Sequence, residues 1–356
     1  MSGDFLTSEQ TENYGRYAAE PNEVQLARYF HLDERDLVFI NQCRGKHNRL
    51  GIALQLTTAR FLGTFQTDPL QIPPGVRYYV ALQLNIHRPE IMAGYALREN
   101  TRWEHQGLIR QHYGYRDFGD FPWSFRLKRL LYIRTWLSNE RPGLMFDFAT
   151  AWLLQNKVLL PAASSLTRLV GEIRERASRR LWRRLAALPD RWQTEQLAGL
   201  LVIPEGQRIS VMEQMRKGPV NVSGPAFTDA LQRYTRLRSL EFSRLNFAGL
   251  PAIQLRNLAR YAGMASVKYI ARMPKERRLA VLTAFVKAQE ILALDEAVDV
   301  LDLLILNITR SAKQTGQKKR LRTLKDLDRA ALLLAHACTL LLDDKMDDAA
   351  LRQTIF

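Results

Sequence analysis

Arg44, Lys46, His47 and Arg49 crowd the start of an apolar run in the stretch QCRGKHNRLGIALQLTTARFLGTF, residues 42–65. The chemistry open to these side chains is anion binding. A helix N-terminus is already positive, so cations gathered there repel it. A helix that begins this way is arranged to hold an anion, towards which the backbone N–H groups of its first turn also point. Asn48 has two readings here: a base reader, since Asn can bond adenine in bidentate fashion, or a helix cap. Arg60, near the end of the same helix, is a further cationic candidate.

Other chemistries find little support. Two-metal phosphoryl transfer needs carboxylates converging on ions about 3.5–4 Å apart. The densest acidic cluster, Asp343, Asp344, Asp347 and Asp348, has no accompanying strand and reads as a solvated helix end. Among the six histidines, His105 and His112 fall two turns apart on one face with no third ligand nearby, which argues against zinc. Gly218-Pro219 and Gly224-Pro225 are turn signals, and neither GxxxxGK[ST] nor GxSxG occurs. The expectation is a chain without catalytic residues, metal or cofactor.

Charge defines the partner. The 356 residues carry 52 Lys and Arg against 36 Asp and Glu, a formal net charge of +16. With 46% hydrophobic residues the chain is globular, and its excess charge favours a polyanion, nucleic acid ahead of an anionic membrane. Arg44, Lys46 and Arg49 are then candidates for DNA phosphates, with His47 beside them. Only two cysteines occur, Cys43 and Cys338, far apart in sequence, so there is no disulfide framework and no CxxC zinc site, which suits a reducing cytoplasm. The polar N-terminus has no signal-peptide core. The apolar run at 331–342 falls short of the ~20 residues a membrane span needs, and His336 interrupts it.

Helical spacing dominates, so the fold class expected is all-α: several small helix-turn-helix-like modules followed by a helical scaffold. Asp33 and Asp36 have capping-box spacing, which starts a helix at about residue 34. The cationic segment leads into a third helix that is apolar on most sides and is stopped by Gly63. Three short helices with tight turns outline a DNA-binding module over 1–68. Prolines at 69, 73 and 74 lead to a second module at 75–160. In it Thr101 and Glu104 read as a capping box, Trp103, Leu108 and Ile109 as apolar anchors, and Gly114 as the stop. Arg102, His105, Arg110 and Gln111 are left for base edges, with Arg116 beyond them. A third basic module at 161–248 carries Arg174, Arg176, Arg179, Arg180, Arg183 and Arg184. These cannot all share one face, and they read either as a solvated surface or as phosphate contacts. Residues 249–356 form the scaffold, in which the basic segment 313–329 is a loop or a helix start. The end on Ile355 and Phe356, without a capping turn, reads as a cut.

Three ordered segments carry a resemblance: YFHLDERDLVFINQCRGKHNRLGIALQLTTARFLGTF, TRWEHQGLIRQHYGYRDF and LPAIQLRNLARYAGMASVKYIARMPKERRLAVLTAFVKAQEILALDEAVDVLDLLI. Together they resemble the N-terminal region of transposases of the Tn-three family, from about Phe5 to about residue 345. RGKHNRLGIALQL is close to the family's Arg-Gly, two variable residues, Asn-Arg-Leu-Gly and Leu-rich helix. KERRLAVLTAF is similar to its Arg-Arg-containing helix. The resemblance implies recognition of terminal inverted repeats in replicative transposition, double-stranded DNA as partner, and a homodimer that pairs two transposon ends. It also implies that the RNase-H-like domain, with its acidic triad and Mg, is absent from this chain, so that the chain is not itself the enzyme. Two rivals stay open: a helical scaffold that binds an acidic protein without specific DNA recognition, and a nuclease.

Overall fold

The computed structural model describes residues 5–341, and among them all regular structure is helical apart from one isolated bridge between Arg116 and Val158. The α-helices are α1 (Ser8–Asn13), α2 (Glu23–Tyr29), α3 (Glu34–Asn41), α4 (Lys46–Leu62), α5 (Pro74–Gln83), α6 (Met92–Ala96), α7 (Glu99–Tyr113) and α8 (Trp123–Leu137). They continue with α9 (Pro142–Gln155), α10 (Ala163–Ala186), α11 (Arg191–Gly199), α12 (Val211–Met215), α13 (Gly224–Arg238), α14 (Ala252–Met264), α15 (Val267–Ala271) and α16 (Lys275–Leu341). The acidic cluster Asp343–Asp348 and the final Ile355 and Phe356 lie outside the described residues. No helix described is long and apolar enough to cross a membrane.

The chain divides into two compact units. Among the described residues the first comprises 5–187, 247–258 and 275–280; the second comprises 188–246, 259–274 and 281–341. Two apolar cores fill the first unit, one drawn from Phe30 to Ile109 and the other from Leu127 to Ile173. Two of the expected module boundaries therefore fall inside cores. α4 packs against α5, α6 and α7 across the proline segment at 69–74, and α10 packs against α8 and α9 across residue 160. Pro69 and Pro74 begin a 3-10 turn and a helix rather than a free linker, as their fixed φ allows. In the second unit α12 buries Met212 and Met215 just ahead of the Gly218-Pro219 turn. Arg233 there bonds Glu296, Gln289 and the Met215 carbonyl. The 313–329 segment lies within α16.

α4 is the axis of the first core. Every residue from Leu50 to Ala59 is buried, and Gly63 closes the helix with φ 73°. Gly51 permits the close approach of α6, because a Cβ at that position would lie 2.5 Å from the Tyr95 ring. The capping box of Asp33 and Asp36 starts α3 as expected, and the same Asp36 ties three helices together. Its carboxylate accepts from Arg60 Nη1 and Nη2 at 2.7 and 2.5 Å and from the Tyr113 hydroxyl at 2.7 Å. Burial pushes the Asp36 pKa up, but the Arg60 and Tyr113 hydrogen bonds outweigh it and hold it below the usual 3.8.

Gly51→Ala should destabilise the fold although Ala is the better helix former by about 1 kcal/mol, because the Tyr95 ring must move. A thermal midpoint lower than wild type is the expected result. Asp36→Asn strands the Arg60 guanidinium and should cost about 3 kcal/mol, the low end for a broken buried pair because Arg60 keeps some solvent. With a depressed folded-state pKa, Asp36 contributes its stability above its unfolded value. That contribution is lost as pH falls through the lower folded-state value, so denaturant titrations below about pH 4 should show a loss that Asp36→Asn lacks.

Candidate nucleic-acid interface

α10 has a buried stripe of Leu166, Leu169, Val170, Ile173, Ala177, Leu181 and Leu185, the spacing of one helix face. α8 buries Leu127 and Leu131, which share a core with the first half of that stripe. Residues flanking these stripes line a groove of about 1050 Å³. Lys128 and Arg129 come from α8, and Arg176, Arg179, Arg180 and Arg183 from α10, against only Glu172 and Glu175 as carboxylates. Glu175 pairs with Arg179, and Glu172 lies 3.8 Å from Arg168. Arg180 donates to the Tyr132 hydroxyl at 3.1 Å and lies 5.1 Å from the centre of the Trp136 ring. The side chains of Lys128, Arg129, Arg176 and Arg183 are exposed and have no hydrogen-bond or ion-pair partner among the described residues. Cations held together without counter-charge attract an external polyanion and release its counterions when it binds.

The α10 arginines thus divide. Arg176, Arg179, Arg180 and Arg183 line the groove, whereas Arg174 turns inward to the Glu140 carbonyl at 2.6 Å and Arg184 bonds the Gly249 carbonyl at 3.0 Å. Burial lowers the Arg174 pKa. Lys128, Arg129 and the ring of Phe125 were missed in the sequence. Their signal is the spacing of Phe125, Arg129 and Tyr132 beside the buried pair Leu127 and Leu131.

The start of α4 forms a second cationic cluster. Gly45, with φ 88°, is the N-cap and offers no side chain, so the first-turn N–H groups have no side-chain cap. The side chains of Arg44 and Lys46 are exposed and without protein partners among the described residues. Arg49 Nε donates to the Cys43 carbonyl at 3.0 Å, and Asn48 Nδ2 to the Arg44 carbonyl at 2.9 Å. Asn48 therefore lies inside the helix and does not cap it. His47 is half-buried, with its Nε2 shielded from solvent. Because α4 is covered on every side beyond this point, it has no free face to lay in a DNA groove; only its first turn can meet a ligand.

The expected readers of α7 are placed differently. The helix begins at Glu99, two residues before the expected Thr101 cap. His105 is buried, stacked on Tyr95, with its Nδ1 3.2 Å from the Tyr95 hydroxyl and its Nε2 3.8 Å from Cys43 Sγ. Burial lowers its pKa, which favours neutral imidazole. Arg102 donates to the Thr67 carbonyl at 3.1 Å, and Arg110 pairs with Asp117 at 2.8 Å. Arg60 is held by Asp36. Of the expected anchors only Ile109 is buried; Trp103 is 62% exposed and Leu108 is exposed as well. Gln111 faces solvent, and Arg116 lies over the Trp123 ring at 4.6 Å. The fold thus gathers Arg179, Arg180 and Arg183 with new partners, leaves Arg44 and Lys46 free at another place, and engages His105, Arg60, Arg102 and Arg110 internally.

The family described as a domain of unknown function (DUF4158) matches residues 5–173, the span holding both cores of the first unit. Over all 356 residues the chain is 77% identical to the transposase for transposon gamma-delta of Escherichia coli (strain K12), covering 36% of that protein. It is 26% identical to the transposase for transposon Tn1546 of Enterococcus faecium, over 91% of this chain and 33% of the relative. With the transposase for transposon Tn4556 of Streptomyces fradiae it shares 32% identity over 149 residues, 41% of this chain and 17% of the relative. The chain spans about a third of the length of the first two of these curated relatives.

Arg176→Ala and Arg183→Ala sever no internal bond and should leave stability within about 0.5 kcal/mol of wild type in chemical denaturation. Arg174→Ala, which orphans the Glu140 carbonyl and empties a half-buried site, should cost about 1–3 kcal/mol.

Proposed function

From its homology to Tn-three family transposases along the whole chain, we propose that this chain binds the terminal inverted repeats of a transposon as duplex DNA and so serves DNA transposition. The observation that carries the reading is the α8/α10 groove, where Lys128, Arg129, Arg176 and Arg183 stand without partners among the described residues. Groove cations neutralise backbone phosphates, and Arg44 and Lys46 at the start of α4 take further phosphates of the same duplex. Such contacts fix orientation and register but carry no base sequence. Gln111, the one expected reader on α7 that remains exposed, is the residue available to a base edge. Binding needs no divalent metal; strand cleavage and joining belong to a part of the transposase outside this chain. In this reading two copies pair two transposon ends.

The interaction-scaffold alternative draws on α16, where Ile305, Leu306, Ile308, Leu321, Leu324 and Leu327 are exposed along one continuous helix. A protein partner would cover such residues. Sedimentation of the chain alone and with duplex separates pairing of two copies from capture of a different protein.

Titration of a labelled duplex carrying the gamma-delta terminal sequence, against random competitor and over a range of salt, tests the main reading. Affinity should fall steeply with salt, with a log–log slope of about −5 if Lys128, Arg129, Arg176, Arg183, Arg44 and Lys46 each meet a phosphate. Arg176→Ala, Arg183→Ala and Lys46→Ala should each flatten that slope by about one and weaken specific and random duplex alike. Chelator should change nothing. A salt-insensitive affinity, or equal affinity for terminal and random sequence, would contradict the proposal.

A further inference from the structure

Phe125 lies in the wall of the α8/α10 groove between cations, and its ring is 57% exposed. Phe121, two residues ahead of α8, is 84% exposed. Among the described residues neither ring meets another ring or a cation, whereas Trp123 between them is contacted by Arg116, Arg126 and Trp152. The local packing thus partly covers one aromatic of the Phe121–Phe125 segment and leaves the other two exposed. Single exposed apolar residues are ordinary. An exposed phenyl ring among the residues of a cation-lined groove, with a second exposed ring four residues before it in sequence, is a different arrangement: where the cations hold phosphates, the ring in the groove offers an apolar face to whatever lies between the strands. Proteins that bind DNA in this way use such rings as wedges that part a base step and bend the duplex.

We propose that Phe125, with the exposed Phe121 four residues before it in sequence, stacks on an unstacked nucleobase of the DNA held in the groove. The proposal rests on the groove binding DNA backbone, and the ligand feature it assigns is the base face. That base comes either from a parted step within intact duplex or from a single-stranded end. Phosphate contacts alone would leave both rings in water; an inserted base removes them from it, and base–aromatic stacking is tolerant of sequence. The unstacked step would therefore be set by which step deforms most easily, with pyrimidine–purine steps favoured.

Permanganate oxidation of thymines in the complex of the whole chain with DNA tests this, on intact duplex and on duplex with a single-stranded tail. Wild type should make one or two thymines newly reactive in intact duplex if the wedge parts a step. It should bind the tailed duplex about tenfold more tightly, without new reactivity inside the duplex, if it takes a single-stranded base. In either case the Phe121→Ala, Phe125→Ala double variant should lose that signature and about tenfold in affinity while keeping the salt slope, and Phe125→Trp should restore both. Both rings are exposed, so unchanged circular dichroism is expected of every variant. A double variant with wild-type affinity and wild-type permanganate pattern overturns the proposal. So does a wild-type complex with neither reactive thymines nor a preference for the tail. A wild-type affinity indifferent to salt overturns the groove reading instead, and this inference falls with it.

Discussion

The apolar contact between α8 and α10 is the constraint on which the rest depends. Leu127 and Leu131 share a core with Leu166, Leu169, Val170 and Ile173, and this fixes the two helices side by side. The cations that flank those stripes have no choice but to gather. Their mutual repulsion opposes the packing, and only two carboxylates among the groove residues relieve it. A surface cation usually relaxes into solvent or pairs with a neighbour. Here burial of apolar area holds four of them close together without partners, an arrangement that a bound polyanion stabilises and an isolated chain must tolerate.

The other cationic cluster arises from a different constraint. α4 is buried from Leu50 to Ala59, so its polar ends carry all that it can offer to solvent. At its C-terminal end Arg60 turns back into the fold to meet Asp36, and the pair joins α3, α4 and α7. At its start Gly45 supplies no capping oxygen, and Arg44 and Lys46 remain free. One helix therefore uses a cation for stability at one end and leaves cations exposed, without partners among the described residues, at the other. The difference between them is not residue type but the presence of a buried carboxylate within reach.

What the sequence made legible was local. The Asp33–Asp36 capping box, the stops at Gly63 and Gly114, the all-round burial of α4 and the helical class follow from spacings of a few residues. What it concealed depends on segments far apart in the chain. His105 looked like a reader because it is polar on a helix, yet Tyr95 and Cys43 close over it and bond its ring. Trp103 and Leu108 looked like anchors, yet α7 turns the face with Arg102, His105 and Ile109 inward. The module breaks at 68–75 and 160–161 were drawn where prolines and loops occur, but the cores run across both. The groove was half visible: the arginines of α10 were evident, while Lys128 and Arg129 acquire meaning only once α8 lies beside them.

Arginine labelling with phenylglyoxal, read by mass spectrometry with and without bound duplex, tests the central claim most directly. It reports each guanidinium separately, and Arg191, exposed and paired only with its helical neighbour Glu195, serves as internal reference. Groove binding predicts that duplex protects Arg129, Arg176 and Arg183 strongly while Arg191 reacts at its free rate. Equal reactivity of the groove arginines in free and bound chain would contradict the account.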